Sequence, residues 1–134
     1  MEIRYVLEPG LAVEEFRAVL ILSTLGERRP VDDVKRLERM LRQADLIVTA
    51  RDEGRLVGVS RAVTDFSYCC YLSDLAVDAE YQRMGIGKRL IDETHKAAGE
   101  ETTLVLVAAP AAEGYYPKIG MVQRPSCWVI PKKR

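Results

Sequence analysis

The chain has 134 residues, of which 48% are hydrophobic and 30% charged, a composition typical of a globular domain with its own apolar core. Twenty acidic side chains balance twenty basic ones, so the net charge favours neither nucleic acid nor an anionic membrane surface as a partner. No run approaches the roughly 20 apolar residues of a membrane span, and the first residues lack a signal-peptide pattern, so we expect a cytoplasmic protein.

The first half of the chain alternates between strand-like and helical patterns. Apolar residues recur at helical spacing in two stretches, each with acidic residues near its start. Asp52-Glu53-Gly54 separates two β-rich runs, which is typical of a hairpin. The pattern predicts, in order, strand Ile3–Leu7, a helix from Leu11 to about Leu25, a helix from about Val31 to Ala44, and strands Leu46–Arg51 and Arg55–Ala62.

The second half alternates in the same way. It predicts strand Tyr68–Val77, a helix from Ile86 to about Ala98, buried strand Thr102–Val107, a short helix Ala111–Ile119 limited by Pro117, and a last strand Val122–Ile130 bent at Pro125. Cys69 and Cys70 are adjacent on a strand, so their side chains point to opposite faces and cannot share a metal ion. We expect one α/β domain over residues 1–134, with no metal.

A glycine-containing loop joins the Tyr68–Val77 strand to the helix that follows, and it reads Gln82-Arg83-Met84-Gly85-Ile86-Gly87. A helix that begins at two glycines offers unpaired backbone N–H groups to a phosphate. A Walker loop would need Gly at 82 and Ser or Thr at 89, and a dinucleotide fingerprint would need Gly at 90, so neither pattern matches. The alternative interpretation is a tight turn with no ligand.

Two motifs resemble those of one known family. Preceded by Leu-Ala-Val, the pattern Gln/Arg-x-x-Gly-x-Gly/Ala resembles the acyl-coenzyme A loop of the GNAT (GCN5-related N-acetyltransferase) superfamily. Ala112 to Met121 is similar to the later motif of that family, an alanine followed by an aromatic residue, a tyrosine and a glycine. The resemblance implies a GNAT fold, with a mixed central sheet of about six to seven strands flanked by about four helices.

The resemblance also implies an activity, the transfer of an acetyl group from acetyl-CoA to a primary amine of a small molecule or peptide, by direct attack in a ternary complex. The strand before the loop would pair its backbone with the pantetheine arm, and the loop would hold the pyrophosphate. The residues implied in cofactor binding are Leu75, Ala76, Val77, Gln82, Arg83, Met84, Gly85, Ile86, Gly87 and Lys88.

Two residues are candidates for catalysis. Tyr116 matches the family tyrosine that protonates the departing thiolate, a role that suits a phenol with an ordinary pKa of about 10; the alternative is a core tyrosine. Asp74 lies where many relatives carry an acidic base, but strand alternation also allows a structural role. Asp65 is a weaker second candidate, and the single histidine, His95, is expected at the surface or an edge. Ala109 stands where many relatives carry a cofactor-binding Asn.

The glycine-containing loop also fits two functions other than acyl transfer. A non-catalytic acyl-CoA-binding module would keep the loop without a working acid and base, and general nucleotide binding is a third interpretation. The acceptor cannot be read from the sequence, although an acidic patch of Glu27, Asp32 and Asp33 would favour a cationic one if it faces the cleft. The pattern allows a homodimer, with the apolar last strand offering an edge.

Overall fold

The computed structural model describes residues 2–133; Met1 and Arg134, at the ends of the predicted domain, lie outside the described residues. Its centre is a five-stranded sheet of β1 Ile3–Leu7, β2 Leu46–Asp52, β3 Arg55–Thr64, β4 Cys69–Val77 and β5 Thr103–Val105. The strands lie in the order β1-β2-β3-β4-β5. β1 to β4 are antiparallel neighbours, and β5 runs parallel to β4. The helices are α1 Val13–Leu22, α2 Val34–Gln43, α3 Ile86–Ala98 and α4 Tyr115–Lys118. The predicted mixed sheet with four helices is confirmed.

Local chemistry explains where several elements begin and turn. Glu53 and Gly54 have φ angles of 49° and 85°, so the β2–β3 connection uses two consecutive left-handed residues, as tight hairpins require. The carboxylate of Asp33 accepts a hydrogen bond from the backbone N–H of Arg36 and caps α2. The hairpin prediction is confirmed, and α2 begins three residues later than the sequence pattern predicts.

The sheet carries helices on both faces. α1 and α2 bury Phe16, Leu20 and Leu37 against one face of β2, β3 and β4. α3 buries Ile86 and Leu90 against the other face. A Cβ on Gly58 of β3 would lie 3.0 Å from Leu90 Cδ1 and 3.2 Å from Ile86 Cγ2, so the absence of a side chain at 58 lets the start of α3 approach the sheet closely. The close approach holds the first turn of α3 near the end of β4.

The expected count of six to seven strands is wrong, since the described chain has five. Residues 122–130, predicted as the last strand, form no strand, because no other strand within residues 2–133 pairs with their backbone. Pro125 also lacks the N–H that a ladder needs. The predicted helix over residues 111–119 divides into a 3₁₀ turn, Pro110–Ala112, and the short α4. The first predicted helix ends earlier than expected, and a 3₁₀ turn covers Leu25–Arg28.

The two adjacent cysteines, the single histidine and the lengths of the helices were also subjects of prediction. Cys69 is exposed and Cys70 buried, which confirms that they face opposite sides of β4. His95 is half-buried and lies 2.7 Å from the carbonyl oxygen of Thr102, near the end of α3. Among residues 2–133, no helix combines the length and apolar character that crossing a bilayer demands.

Candidate active site

The central feature of the site is an opening between β4 and β5. The two strands pair only where Cys69 to Tyr71 meet Thr103 to Val105. β4 continues to Val77 along β3, but on its other side the described chain supplies no strand partner beyond Tyr71. The backbone of Leu75, Ala76 and Val77 therefore borders a gap that can receive an extended ligand through main-chain hydrogen bonds.

A cavity of about 460 Å³ lies at this opening. A volume of this size falls within the range of small-molecule sites. The end of β4 forms one wall, the stretch after β5 a second, and the turn after α1 a third. The described lining residues are Ser23, Thr24, Leu25, Glu27, Arg28, Arg29, Leu72, Ser73, Leu75, Ala76, Val77, Gln82, Leu106, Val107, Ala109, Pro110, Ala111, Ala112 and Tyr116.

The start of α3 follows Gln82, which lines the cavity, whereas residues 83–88, also implied in cofactor binding, do not line it. Gly85 precedes the helix with a φ of 81°, and its carbonyl oxygen accepts from the backbone N–H of Arg89. The N–H groups of Ile86, Gly87 and Lys88 come before that first intrahelical bond and carry the partial positive charge of a helix start, although that of Lys88 donates toward the Tyr115 phenol. This arrangement suits a phosphate or pyrophosphate. It lies where the sequence predicts it, at the junction of loop and helix.

The loop before α3 is tied to the end of β4. The amide Nε2 of Gln82 donates to the carbonyl oxygen of Val77 at 3.1 Å. Arg83 has a φ of 66°, a left-handed conformation that turns the chain into the helix, and its side chain is exposed. The ammonium of Lys88 pairs with Asp92 at 2.6 Å, which leaves less of its charge for a ligand. Met84 is 53% exposed.

The two tyrosines of the later motif lie at different places in the site. Tyr116 is half-buried and lines the cavity, and burial raises its pKa, so the phenol is protonated at neutral pH. Tyr115 places its hydroxyl against Gly87 in the first turn of α3. Burial raises the pKa of Tyr115 as well, while the backbone N–H of Lys88, which donates toward the phenol, lowers it to a smaller extent.

Asp74 does not line the cavity. It is fully buried, with one carboxylate oxygen accepting from Nε of Arg29 and the other from Nε of Arg61. Nη2 of Arg29 also donates to the carbonyl oxygen of Ser73 at 2.7 Å. Because both oxygens of Asp74 are engaged by guanidinium groups away from solvent, the geometry favours the structural role that strand alternation allows over the role of base.

Asp65, the second candidate base, caps a turn. Its Oδ1 accepts from the backbone N–H groups of Ser67, Tyr68 and Cys69 at 2.8 to 3.1 Å. These hydrogen bonds, of which the one from Tyr68 has the largest effect, lower the pKa of Asp65 to about 2. A carboxylate with so low a pKa is a weak base, and its hydrogen bonds explain the turn between β3 and β4.

The sequence interpretation missed the two arginines that hold Asp74. Arg61 lies opposite Asp74 in the β3–β4 register, so a correct hairpin alignment would have suggested that pair. Arg29 comes from the turn after α1, 45 residues away along the chain, and no local signal points to it. Arg29 thus attaches the turn that lines the cavity to β4, and Arg61 links Asp74 to β3.

A family model described as an acetyltransferase (GNAT) domain matches residues 24–126. The match spans the cavity wall at Arg29, the open end of β4, the start of α3 and Tyr116. The chain belongs to the GNAT acetyltransferase family. The matched residues include the opening between β4 and β5 and the glycine-containing start of α3.

Curated relatives resemble this GNAT domain at low identity. An uncharacterised N-acetyltransferase, ycf52, from Porphyra purpurea is 27% identical over a 106-residue alignment, with 73% of this chain and 58% of that protein covered. The same protein from Pyropia yezoensis is 26% identical over 106 residues, with the same shares of each chain. The chain thus spans less than two thirds of the length of these relatives.

Solved structures share the fold. A GNAT family acetyltransferase, SP0256, from Streptococcus pneumoniae is similar with a TM-score of 0.76 and 22% identity, over 98% of this chain and all of that one. The aminoglycoside N-acetyltransferase AAC(6')-Iy in complex with CoA is similar with a TM-score of 0.75 and 16% identity, over 99% of this chain and 96% of that one. These likenesses place the fold of this GNAT domain among known acetyltransferases.

Proposed function

We propose that this GNAT domain transfers an acetyl group from acetyl-CoA to a primary amine of a small molecule or peptide. One observation carries the proposal. A single cavity joins the unpaired edge of β4, Gln82 and Tyr116, and α3 begins at Ile86, four residues after Gln82. The strand edge would suit an extended pantetheine arm, the helix start a pyrophosphate, and Tyr116 a thioester.

The proposed cofactor contacts follow the chemistry of each wall. The backbone of Leu75, Ala76 and Val77 would pair with the amides of pantetheine, because these residues border the open side of β4. The turn from Gln82 to Lys88 would bind the pyrophosphate through the N–H groups of the first turn of α3. Lys88 is paired with Asp92, so Arg83, whose side chain is exposed, would supply positive charge to the pyrophosphate. Ala109 lines the cavity and offers no side-chain hydrogen bond to the cofactor.

The proposed reaction is a direct acyl transfer. The amine nitrogen forms a bond to the thioester carbonyl carbon, and the bond from that carbon to sulfur breaks. The nitrogen loses a proton to solvent as the amide forms, the proton of the Tyr116 phenol goes to the leaving thiolate, and the phenol is reprotonated from solvent. A raised pKa keeps Tyr116 in the acid form that this step needs.

The attacking amine must first lose a proton. Asp74 remains the predicted base from the family position, although its two arginine partners argue against it. Glu27 is a carboxylate that lines the cavity and is exposed to solvent, so it is placed to accept a proton directly or through water. Glu27→Gln compared with Asp74→Asn would distinguish the two, since only the true base should change the pH profile of turnover.

The charged residues that line the cavity indicate which charge an acceptor would carry. Of the acidic patch considered in the sequence, only Glu27 lines the cavity, next to Arg28 and Arg29. Asp33 caps α2, and the Asp32 side chain is fully exposed near Arg17. The condition for favouring a cationic acceptor is therefore not met. We propose an acceptor with one amine and little further positive charge, in contrast to a polyamine or an aminoglycoside.

The experiment combines binding with turnover. Calorimetric titration with acetyl-CoA and with ATP tests the cofactor, and acetyl-CoA consumption over a panel of amines tests the reaction. Tyr116→Phe should lower kcat by about 10²-fold or more while the dissociation constant for acetyl-CoA stays unchanged. Tyr68→Phe, at an exposed tyrosine outside the cavity, is the matched control. Selective acetyl-CoA binding with no turnover on any amine would favour the non-catalytic acyl-CoA-binding module, and equal binding of ATP would favour a nucleotide site.

A further inference from the structure

A side-chain network ties the turn after β4 to the β2–β3 hairpin. The first attachment is at Asp78, whose Oδ2 accepts from Nη2 of Arg55 at 2.9 Å and whose Oδ1 accepts from the backbone N–H of Glu80 at 2.9 Å. The backbone N–H of Asp78 also donates to the carbonyl oxygen of Val57 at 2.8 Å. The Asp78 side chain is 2% exposed, so the carboxylate of this ion pair is shielded from water.

Tyr81, the last residue of the short 3₁₀ turn Ala79–Tyr81, makes the second attachment. Its hydroxyl donates to Oδ2 of Asp52 at 2.7 Å, and Cζ of Arg55 lies 5.7 Å from the centre of its ring. The hydrogen bond with Asp52 raises the pKa of Tyr81, so the phenol keeps its proton at neutral pH. Asp52 and Arg55 are partners in the hairpin register, so one residue pair holds the turn at two points.

The loop over residues 82–85 lies between two fixed points. It follows Tyr81 directly, and it leads into Ile86, which is 2% exposed in the core. Arg83 and Gly85 have φ angles of 66° and 81°, and a left-handed conformation is unfavourable for a residue with a side chain such as Arg83. The conformation of this loop therefore depends on the residues that hold its ends.

We propose that Asp52, Arg55 and Tyr81 are positioning residues for cofactor binding. They hold the loop and the start of α3 in the shape that receives the pyrophosphate of acetyl-CoA. The inference rests on the proposed function, because only there is the loop assigned to the pyrophosphate. A loop that already has its bound conformation loses less conformational entropy when the ligand binds. None of the three residues lines the cavity, so they act on the affinity for the cofactor and leave the acyl transfer step unaffected.

The hydrogen bond between Tyr81 and Asp52 can be removed from either side. Tyr81→Phe keeps the ring and should raise the dissociation constant for acetyl-CoA by about threefold to tenfold. Asp52→Ala should give a similar increase, and the double variant should bind no more weakly than either single variant, because the bond is already lost in each. Asp52→Asn keeps a side-chain oxygen that accepts from the phenol, so it should bind nearly as tightly as the wild type.

The ion pair gives a second pair of variants. Arg55→Gln removes the charge that faces Asp78 and should also raise the dissociation constant by about threefold or more. Arg55→Lys keeps that charge and should have a smaller effect. If Arg55→Gln does not fold, Tyr81→Phe decides the question, because it removes a single hydroxyl and leaves the packing of the ring in place.

The experiment is calorimetric titration of the full chain with acetyl-CoA, combined with urea unfolding and steady-state rates of each variant. At saturating acetyl-CoA, kcat of Tyr81→Phe should stay within about twofold of the wild type. Ser60→Ala is the matched control. It removes a buried 2.7 Å hydrogen bond between β3 and Thr94, more than two turns along α3 from its start. It should lower the free energy of unfolding and leave the dissociation constant unchanged.

Unchanged affinity in both Tyr81→Phe and Asp52→Ala would overturn the inference. The same conclusion follows if Asp52→Asn binds as weakly as Asp52→Ala, or if Ser60→Ala loses as much affinity as Tyr81→Phe, since general stability would then set the affinity. A wild type that does not bind acetyl-CoA is a different result, because it removes the proposed function and this inference with it. A wild type that binds, with variants of equal affinity, removes the inference alone.

Discussion

The hydroxyl of Tyr115 occupies the space that a side chain at Gly87 would need. A Cβ built on Gly87 would lie 2.8 Å from the Tyr115 hydroxyl oxygen, 3.5 Å from Cζ and 3.8 Å from Cε2. Gly87 has no Cβ, so the phenol reaches the first turn of α3. The resemblance pattern has Gly or Ala at this position, and in this chain a methyl group there would meet the Tyr115 hydroxyl.

We expect Gly87→Ala to depend on that partner. With Tyr115 in place, the added methyl group overpacks the contact at a cost of about 1–3 kcal/mol. The gain of about 1 kcal/mol from alanine in a helix offsets only part of that cost. In a Tyr115→Phe background the 2.8 Å contact disappears, the nearest remaining ring atom lies at 3.5 Å, and alanine should become neutral or stabilising.

The measurement is a double-mutant cycle by urea unfolding of the wild type, the two single variants and the double variant. We expect a coupling free energy of about 1–3 kcal/mol between positions 87 and 115. Additive effects would show that the phenol moves aside freely. In that case Tyr115 would not determine which residue is accepted at position 87.

The burial of Asp74 between two arginines predicts a stability effect. Asp74→Asn removes the charge that both guanidinium groups face, and breaking a buried ion pair costs about 3–5 kcal/mol. Asp92→Asn, which breaks the exposed pair with Lys88, should change the free energy of unfolding by less than about 1 kcal/mol. Chemical denaturation of both variants checks this prediction. An Asp74→Asn protein with wild-type stability and no turnover would instead support the role of base.

How well the site can be predicted from the sequence depends on how far apart the interacting residues lie along the chain. The loop from Gln82 to Gly87 and the start of α3 follow from local chemistry, glycines before an apolar helical period, and these predictions agree with the fold. The hairpin at Asp52 to Gly54 is local in the same sense. Each of these features is specified within a few residues, so one sequence is enough to recognise it.

The features that the sequence could not supply are contacts between distant parts of the chain. Asp74 and Arg29 are 45 residues apart, and only the packing of the turn after α1 on the sheet brings them together. The strand pattern of Val122–Ile130 shows the same limit. Its composition favours a strand, but strand formation also needs a neighbour, and the described chain provides none.

The raised pKa of Tyr116 predicts the alkaline side of the pH profile. The acid form is the active one, and burial lifts the pKa above the ordinary value of 10.0, so the midpoint of proton loss should lie above that pH. We expect kcat to show no fall due to Tyr116 between neutral pH and about pH 9.5. Steady-state rates of the wild type and of Tyr116→Phe over this range check it. A fall in the wild type that is absent in the variant would mean that the phenol titrates earlier.

The turn held by Asp65 predicts a loss of stability in acid. Three backbone N–H groups lower the pKa of Asp65 from 3.8 to about 2, so the folded state favours the carboxylate more than the unfolded state does. A depressed pKa stabilises the fold above the unfolded value, and the contribution disappears as the pH falls from 3.8 toward 2. The pKa of Glu8 is also lowered, mainly by the hydrogen bond that Arg51 donates to it, so Glu8 also contributes stability that is lost in acid.

Urea unfolding at a series of pH values from neutral to strongly acidic, on the wild type and on Asp65→Asn, isolates the contribution of the turn. The variant should be less stable than the wild type at pH 6, and the difference should shrink through the window from 3.8 to 2. Asp32→Asn, at a fully exposed carboxylate, is the control and should follow the wild type. A difference between wild type and Asp65→Asn that does not change with pH would mean that the turn depends on the shape of residue 65 and that its charge has no part in holding the three N–H groups.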